Sequence, residues 1–383
     1  MGRKSISIVA ATTAVLAAAG VAVATSSSAA TSCGVLFDDF SYSSRTDPAL
    51  AQRGWSIRGT AGGPGVPGAS WRADNVSFAT VDGQKVVQLT AKTDGTAAGT
   101  SHAEFSQSQR RFFEGTYLAR IKFADAPVSG PDGDHVNQTF YTISPLTAPR
   151  DPQYSELDFS EYLPNGGWGG RGPTNYQTSW HTYVPDPWYA DNQHSEQAKS
   201  IAGWRDVQAT VADGHVKYYI DGVLVGDHSG KVYPRQAMSI DFNQWFIDLA
   251  GRAAGQTAVW EQSVDYVLHA KNQVLTPQQA TAAVAAYRQA GTAHEDTVTP
   301  AADCTATAPA TTQPATTQPA ATQPATTQPA STQPVSGAWA AGVSYTQGQI
   351  VSYAGARYRC RIAHTSLATW EPSAVQALWE PLG

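Results

Sequence analysis

The sequence predicts an all-β fold, a sandwich of antiparallel sheets, on three observations. β-Branched or alternating runs recur between residues 31 and 304, and turn dipeptides punctuate them. The strand–helix–strand rhythm of a parallel sheet is absent. The one convincing helix signal comes after the last strand.

The strand runs are Lys85–Ala91, Thr116–Phe123, Val207–Val211 and Val216–Ile220. Asp221-Gly222 follows the last run and Val223-Leu224-Val225 follows the turn, which is a hairpin signal. Asn165-Gly166-Gly167 and Asp213-Gly214 mark further turns. For the helix, Thr276 can cap, Pro277 suits the first turn and Gln279 completes a capping box. Ala280, Ala283, Val284 and Tyr287 give it one apolar face, and Gly291 stops it. Its place in the chain makes it an outer brace on the sandwich.

Composition narrows the function. The chain has 383 residues, too many for one average domain. Only 15% are charged and the net charge is −6, which argues against a nucleic-acid partner. Eleven Trp and sixteen Tyr suit either sugar rings or the strands of a β-protein.

The first thirty residues read as a secretory signal. Arg3 and Lys4 lead an apolar stretch, Ile6–Ala24, and Ser28-Ala29-Ala30 offers a cleavage site before Thr31. A membrane anchor is the competing reading, disfavoured by the small residues and by Ser26-Ser27-Ser28. An extracellular protein, monomeric and without a membrane partner, is expected. Secretion permits disulfides, and because domain termini tend to lie close, a Cys33–Cys304 bridge is expected.

Four segments follow: the signal at 1–30, a strand-rich domain at 31–304, a linker at 305–335 and a small module at 336–383. The linker repeats Thr-Gln-Pro from Ala310 to Pro334, an extended spacer with nothing to bury. The module packs Trp339, Tyr345, Tyr353, Tyr358, Trp370 and Trp379 into few residues, more rings than so small a core needs.

The chemistry concentrates at 154–162, Tyr-Ser-Glu-Leu-Asp-Phe-Ser-Glu-Tyr. A solvated charged strand edge fits poorly, because acids are disfavoured in strands and no Lys or Arg is interleaved. In a regular strand Glu156 and Asp158 share a face and Glu161 points the other way. One β-bulge returns Glu161 to the face of the other two. The two Glu Cα atoms would then be roughly 13 Å apart. Carboxyls leaning together to ~5–5.5 Å would define a retaining glycosidase.

Glu156-Leu-Asp158-Phe-Ser-Glu161 resembles the E-x-D-x-x-E signature of glycoside hydrolase family 16, which includes laminarinases and other endo-β-glucanases. Further blocks are similar to that family in the same order: Phe113–Lys122, Trp204–Val211 with Val216–Gly222, and Val264–Val267. The resemblance implies a concanavalin-like β-jelly roll with a C-terminal helix. It implies Glu156 as nucleophile, Glu161 as general acid/base and Asp158 as the assisting group between them. Trp180 and His181 resemble a cleft strand of the family, and Trp245 falls where members place a cleft-lining strand. Each would bind substrate or, equally, pack in the core. The loops Pro145–Pro152 and Gly167–Pro173 depart from the family pattern. Asp265 matches an acid that helps hold a structural calcium in some members, so a structural Ca²⁺ is left open; no cofactor is expected for the chemistry.

The C-terminal module resembles carbohydrate-binding module family 5/12, the chitin-binding type. That implies Trp370 as an exposed stacking ring with His364, Thr365 and Pro372 around it, and Tyr345, Tyr358 and Trp379 in the core. The combined expectation is a secreted, retaining endo-β-glycanase with β-1,3-glucan as first substrate and a chitin-targeting module. The alternatives are a hydrolase or transglycosylase acting on chitin or chitosan, and a non-catalytic wall-binding protein.

Overall fold

The computed structural model describes residues 34–299, 337–340, 343–346, 348–360, 364–366, 371–373 and 379–382. Cys33, Cys304, Trp370, the signal segment and the linker repeats lie outside the described residues. The chain divides into two compact units, Met1–Ala310 and Thr311–Gly383.

Seventeen strands lie among the described residues of the first unit. They run β1 (Val35–Asp38), β2 (Trp55–Ile57), β3 (Ser70–Trp71), β4 (Val76–Val81), β5 (Gln84–Thr93) and β6 (Ser101–Phe112). Next come β7 (Gly115–Phe123), β8 (Val136–Ile143), β9 (Glu156–Leu163), β10 (Thr174–Val184), β11 (Tyr189–Gln197) and β12 (Gly203–Ala212). The last are β13 (His215–Ile220), β14 (Val223–Ser229), β15 (Met238–Phe246), β16 (Ala258–Lys271) and β17 (His294–Asp296). One sheet orders as β2-β6-β15-β8-β9-β10-β11, all antiparallel. The other orders as β4-β5-β16-β7-β12-β13-β14, with β1 and β17 continuing alongside the second half of β16. The start of β6 pairs with β3 and β5, which joins the two sheets at a corner. This is the expected jelly-roll sandwich.

Side-chain alternation explains the stacking. In β7, Tyr117, Ala119, Ile121 and Phe123 enter the core between the sheets, while Arg120 and Lys122 stay partly exposed. Leu118, on the outward face, is covered instead by the helix Pro277–Gln289. Ala280 and Val284 are buried there with Ala283 and Tyr287 packed against them, and Tyr287 stacks on Phe37 at 4.6 Å. Thr276 and Gln279 form the expected capping box. In β15, Met238, Ile240 and Phe242 face the core, which leaves Ser239, Asp241, Asn243 and Trp245 on the open face of the sheet.

The hairpin at Asp221-Gly222 is present with Ile220 paired to Val223. Both turn residues sit at positive φ, 49° and 78°, as a two-residue turn of this hand requires. The second unit holds β18 (Ser344–Tyr345) paired with β21 (His364–Thr365), and a sheet of β19 (Ile350–Tyr353), β20 (Ala356–Cys360) and β22 (Trp379–Leu382). Tyr345, Val351, Tyr358, Cys360 and Trp379 form its core.

Candidate active site

The three acids lie on β9, an inner strand of the open sheet between β8 and β10. Leu157 and Phe159 point into the core, so Glu156 and Asp158 point out. From Asp158 to Glu161 is three residues, but the partner strands advance only two, Tyr141 to Thr139 on β8 and Thr178 to Tyr176 on β10. The extra residue is the β-bulge that the acid spacing demands. Phe159 and Ser160 both turn inward at the bulge. Phe159 meets Phe140 at 4.7 Å and Tyr117 at 5.0 Å, and Ser160 Oγ donates to Asn175 Oδ1 at 2.6 Å. Glu161 therefore returns to the outer face.

Strand register then lays out the surface in cross-strand rows. One row runs Ile143, Glu156, Trp180. The next runs Ser106, Asp241, Tyr141, Asp158, Thr178. The third runs Glu104, Asn243, Thr139, Glu161, Tyr176.

Each acid has its own donors. The Tyr154 hydroxyl donates to Glu156 Oε2. Trp180 Nε1 donates to Asp158 Oδ2 at 2.9 Å. Thr178 Oγ1 and Asn137 Nδ2 donate to the two oxygens of Glu161 at 3.0 and 3.3 Å. Burial is the main force on all three, and it pushes every one of them well above the usual carboxylate range. Mutual repulsion adds to the rise at Glu156 and Asp158, and the Tyr154 donation opposes it at Glu156. Their protons come off as those of a coupled group. Asp158 is the most enclosed, at 3% exposure, and is the natural seat of the retained proton. Glu156 and Glu161 keep part of their surface open to solvent.

Asp241 and Glu104 are further carboxyls on this face. Burial pushes Asp241 up to about 7, against hydrogen bonds from Ser239 and Ser106. Its position was visible in the alternation of Ile240-Asp241-Phe242-Asn243, where a strand puts an acid between two core residues. Tyr154 carried no sequence signal beyond adjacency to the motif.

Aromatic rings flank the acids. Beside Glu156, Trp180 lies 6.0 Å from Tyr183 and 6.2 Å from Trp188, and Tyr183 lies 5.2 Å from Tyr154. Beside Glu161, Trp168 lies 5.6 Å from Tyr176 and 6.5 Å from Trp245. Trp245 lies on the open face by strand alternation and is 9% exposed. Trp168 holds φ at 45°, a costly conformation for so bulky a residue.

Two expectations change. His181 is the bulged residue between Trp180 and Thr182, and its Nδ1 pairs with Asp191 at 3.0 Å rather than with the acid row. Asp191 also takes Lys231, so this histidine belongs to an ion cluster at the edge. Asp265 is 1% exposed in side chain and faces two guanidiniums, Arg288 at 2.6 Å and Arg120 at 3.8 Å. That arrangement supplies the charge a calcium would supply, and the donor set does not fit a cation. Among the described residues no cluster of three or more His, Cys, Asp or Glu is placed to hold a metal ion.

In the small unit, Tyr345, Tyr358 and Trp379 are core residues as expected. Pro372 is buried, which makes it a packing residue rather than a contact surface. His364 and Thr365 form a strand; their side chains, like Trp370, lie outside the described part.

Comparison with known proteins gives a class for this unit first. Residues 338–380 match the model of carbohydrate-binding module family 5/12. The same segment is 56% identical over 43 residues to Chitinase A1 of Niallia circulans, 11% of this chain and 6% of that protein. It is 50% identical over 44 residues to Streptogrisin-C of Streptomyces griseus, 12% of this chain and 10% of that protein. The chain thus spans no more than a tenth of the length of these relatives. Among solved structures, a mixed-linkage glucan GH16 protein of Bacteroides ovatus aligns at 16% identity and TM-score 0.46, over 60% of this chain and 98% of that one. A Bacillus licheniformis β-glucanase aligns at 14% and 0.45, over 62% and 99%. Likenesses at this level assign no activity to this chain.

Proposed function

We propose that the protein is a secreted, retaining endo-β-glycanase that cuts β-1,3-glucan and is held at chitin-containing surfaces by its C-terminal module. One observation carries this reading: a bulge in β9 aligns Glu156, Asp158 and Glu161 on one open sheet face. The family resemblance of the motif supports β-1,3-glucan, and the chitinase relatives of the small module support a chitin surface.

In this reading, Glu161 enters protonated, which its burial favours, and gives its proton to the leaving glycosidic oxygen. Glu156 attacks the anomeric carbon as a carboxylate, helped by the Tyr154 hydroxyl. The sugar is then an ester of Glu156, whose charge is gone. Glu161, left a carboxylate by that donation, takes the proton of the water that attacks the anomeric carbon and releases the sugar, and so regains its protonated form. Asp158 keeps its proton through the cycle, held by the Trp180 N–H between the two glutamates. Trp180 and Trp245 contact the glycan.

A second reading moves the same chemistry to chitosan. The chitinase relatives of the small module favour it, because the module and the cleft would then share one polymer. Reducing-end release from laminarin, mixed-linkage glucan, chitosan and colloidal chitin tests both, with Glu156→Gln as control. Release from laminarin that the variant abolishes is the expected result. Release from chitosan alone moves the substrate. Release from none of the four removes the enzymatic reading.

A further inference from the structure

We propose that Tyr218 and His228, acting through Ser179, are positioning residues: from inside the core they hold Thr178 against Glu161, with the His228 proton fixed on Nδ1. The inference rests on the glycanase reading and adds a buried support to its acid/base.

β10 presents the two ends of this support on alternate faces. Thr178 faces the open side, where its Oγ1 donates to Glu161 Oε2 at 3.0 Å. Ser179, the next residue, is fully buried on the core side. Its Oγ lies 2.6 Å from the Tyr218 hydroxyl and 2.9 Å from His228 Nδ1. Tyr218 comes from β13 and His228 from β14, both in the opposite sheet. The Tyr218 hydroxyl also donates to the Thr178 carbonyl at 3.3 Å. Thr178 stands where the β9–β10 ladder resumes after the bulge. The opposite sheet therefore grips β10 at the residue that serves Glu161. Gly226 permits the approach, since a Cβ there would lie 2.9 Å from Ser195 Oγ and 3.3 Å from the Tyr218 ring.

Proton counting gives the network one direction. A tyrosine hydroxyl has a single proton, and Tyr218 gives it to Thr178. The short bond to Ser179 must then use the serine proton, so Ser179 accepts from His228 Nδ1. The His228 ring is neutral: burial pushes its pKa down to about 4, His194 on β11 adds to the fall, and Asp227 on its own strand opposes it. Tyr218 is the other titratable group against the ring, at 5.0 Å. A neutral ring with its proton on Nδ1 accepts at Nε2, and Ser195 Oγ is there at 2.9 Å. The other tautomer would draw the Ser179 proton to Nδ1 and the Tyr218 proton to Ser179. The Thr178 carbonyl would then lose its donor.

The test compares the full-length protein with its Tyr218→Phe variant, which keeps the ring and removes the grip on Thr178. The substrate is whichever of the four polymers the wild type cleaves. In Tyr218→Phe, kcat should fall about tenfold with KM unchanged, because the group lies behind the cleft and acts by placement. The basic limb of the pH profile of kcat/KM should move up by about half a pH unit or more. The reason is that the Thr178 donation holds the Glu161 pKa down, while Asn137, Glu156 and Asp158 around it are untouched. An unmoved limb, with kcat kept or lowered, overturns the positioning role. If the wild type cleaves none of the polymers, the glycanase reading falls by itself. Titration of the Glu161 carboxyl by carbon-13 NMR, assigned with Glu161→Gln, then replaces the limb, and an equal pKa in wild type and Tyr218→Phe overturns the support. Nitrogen-15 spectra of the histidines read the tautomer, with His228 identified as the ring whose Nε2 signal shifts in Ser195→Ala. A proton on Nδ1 from about pH 5.5 to 8 is expected, and a proton on Nε2 overturns the assignment.

Discussion

Glu156 can act as a nucleophile only when ionised, yet burial and two neighbouring acids work against that. The Tyr154 hydroxyl is the group that offsets them. Removing it in Tyr154→Phe should raise the Glu156 pKa. The acid limb of the pH profile of kcat/KM should then move upward by about one pH unit, the equivalent of a ~1.4 kcal/mol hydrogen bond to a charged group. An unmoved limb would mean that Tyr154 only packs. Asp241 makes a separate case. Its folded pKa is about 7, above the ordinary value of 3.8. Between those values the unfolded chain has lost the proton that the folded chain keeps, so stability falls as pH rises through this window. Asp241→Asn should therefore stabilise the protein above pH 7, by at most a few kcal/mol, and change little near pH 4. Melting temperatures at the two pH values check this. The acid triplet was readable because three carboxyls in a charge-poor strand are out of place. Tyr154 was not, because an aromatic in a β-protein ordinarily fills the core, and only the fold shows its hydroxyl reaching Glu156.

At the scale of elements, the β9 bulge is the decisive feature. It follows from the spacing alone if the acids are to share a face. What the sequence did not contain is how the bulge is held, with Phe159 wedged between Phe140 and Tyr117 and Ser160 bound to Asn175. Phe159→Ala should cost about 3–5 kcal/mol of stability as a cavity. It should also lower activity in the fraction that stays folded, because Glu161 loses the packing that aims it. Denaturant unfolding with parallel assays measures both, and full activity in the folded fraction would free the bulge from Phe159. The Asp-Gly hairpin and the capped helix were legible because their turn and cap chemistry is local. The β10–β11 hairpin was hidden. Asp186-Pro187-Trp188 reads as a loop, and the strand that follows, from Tyr189 to Gln197, is polar and largely exposed.

For the whole molecule, the aromatic count had two explanations and both hold in part. Trp55, Trp71 and Trp260 are buried in the first unit, whereas Trp168 and Trp188 are exposed on loops beside the acids. The two loops carrying departures from the family pattern near 145–152 and 167–173 border this same face, with Arg150 lying over Tyr189 at 4.3 Å. Function is further divided between units. If the C-terminal module acts by raising local substrate concentration, a chain ending at Ala310 should keep its rate on soluble oligosaccharides. Its rate on insoluble wall material should fall by about tenfold or more. Equal rates on both would remove the targeting role.

The central claim is that Glu156 bonds to the sugar while Glu161 handles the proton. Incubation of the full-length protein with an activated 2-fluoro-glycoside of the sugar it cleaves, followed by peptide mass spectrometry, tests that bond directly. The account predicts one fluoro-glycosyl adduct, on Glu156, and none on the Glu156→Gln variant. An adduct on Glu161, or sustained hydrolysis of the parent polymer with no adduct on any residue, would contradict it.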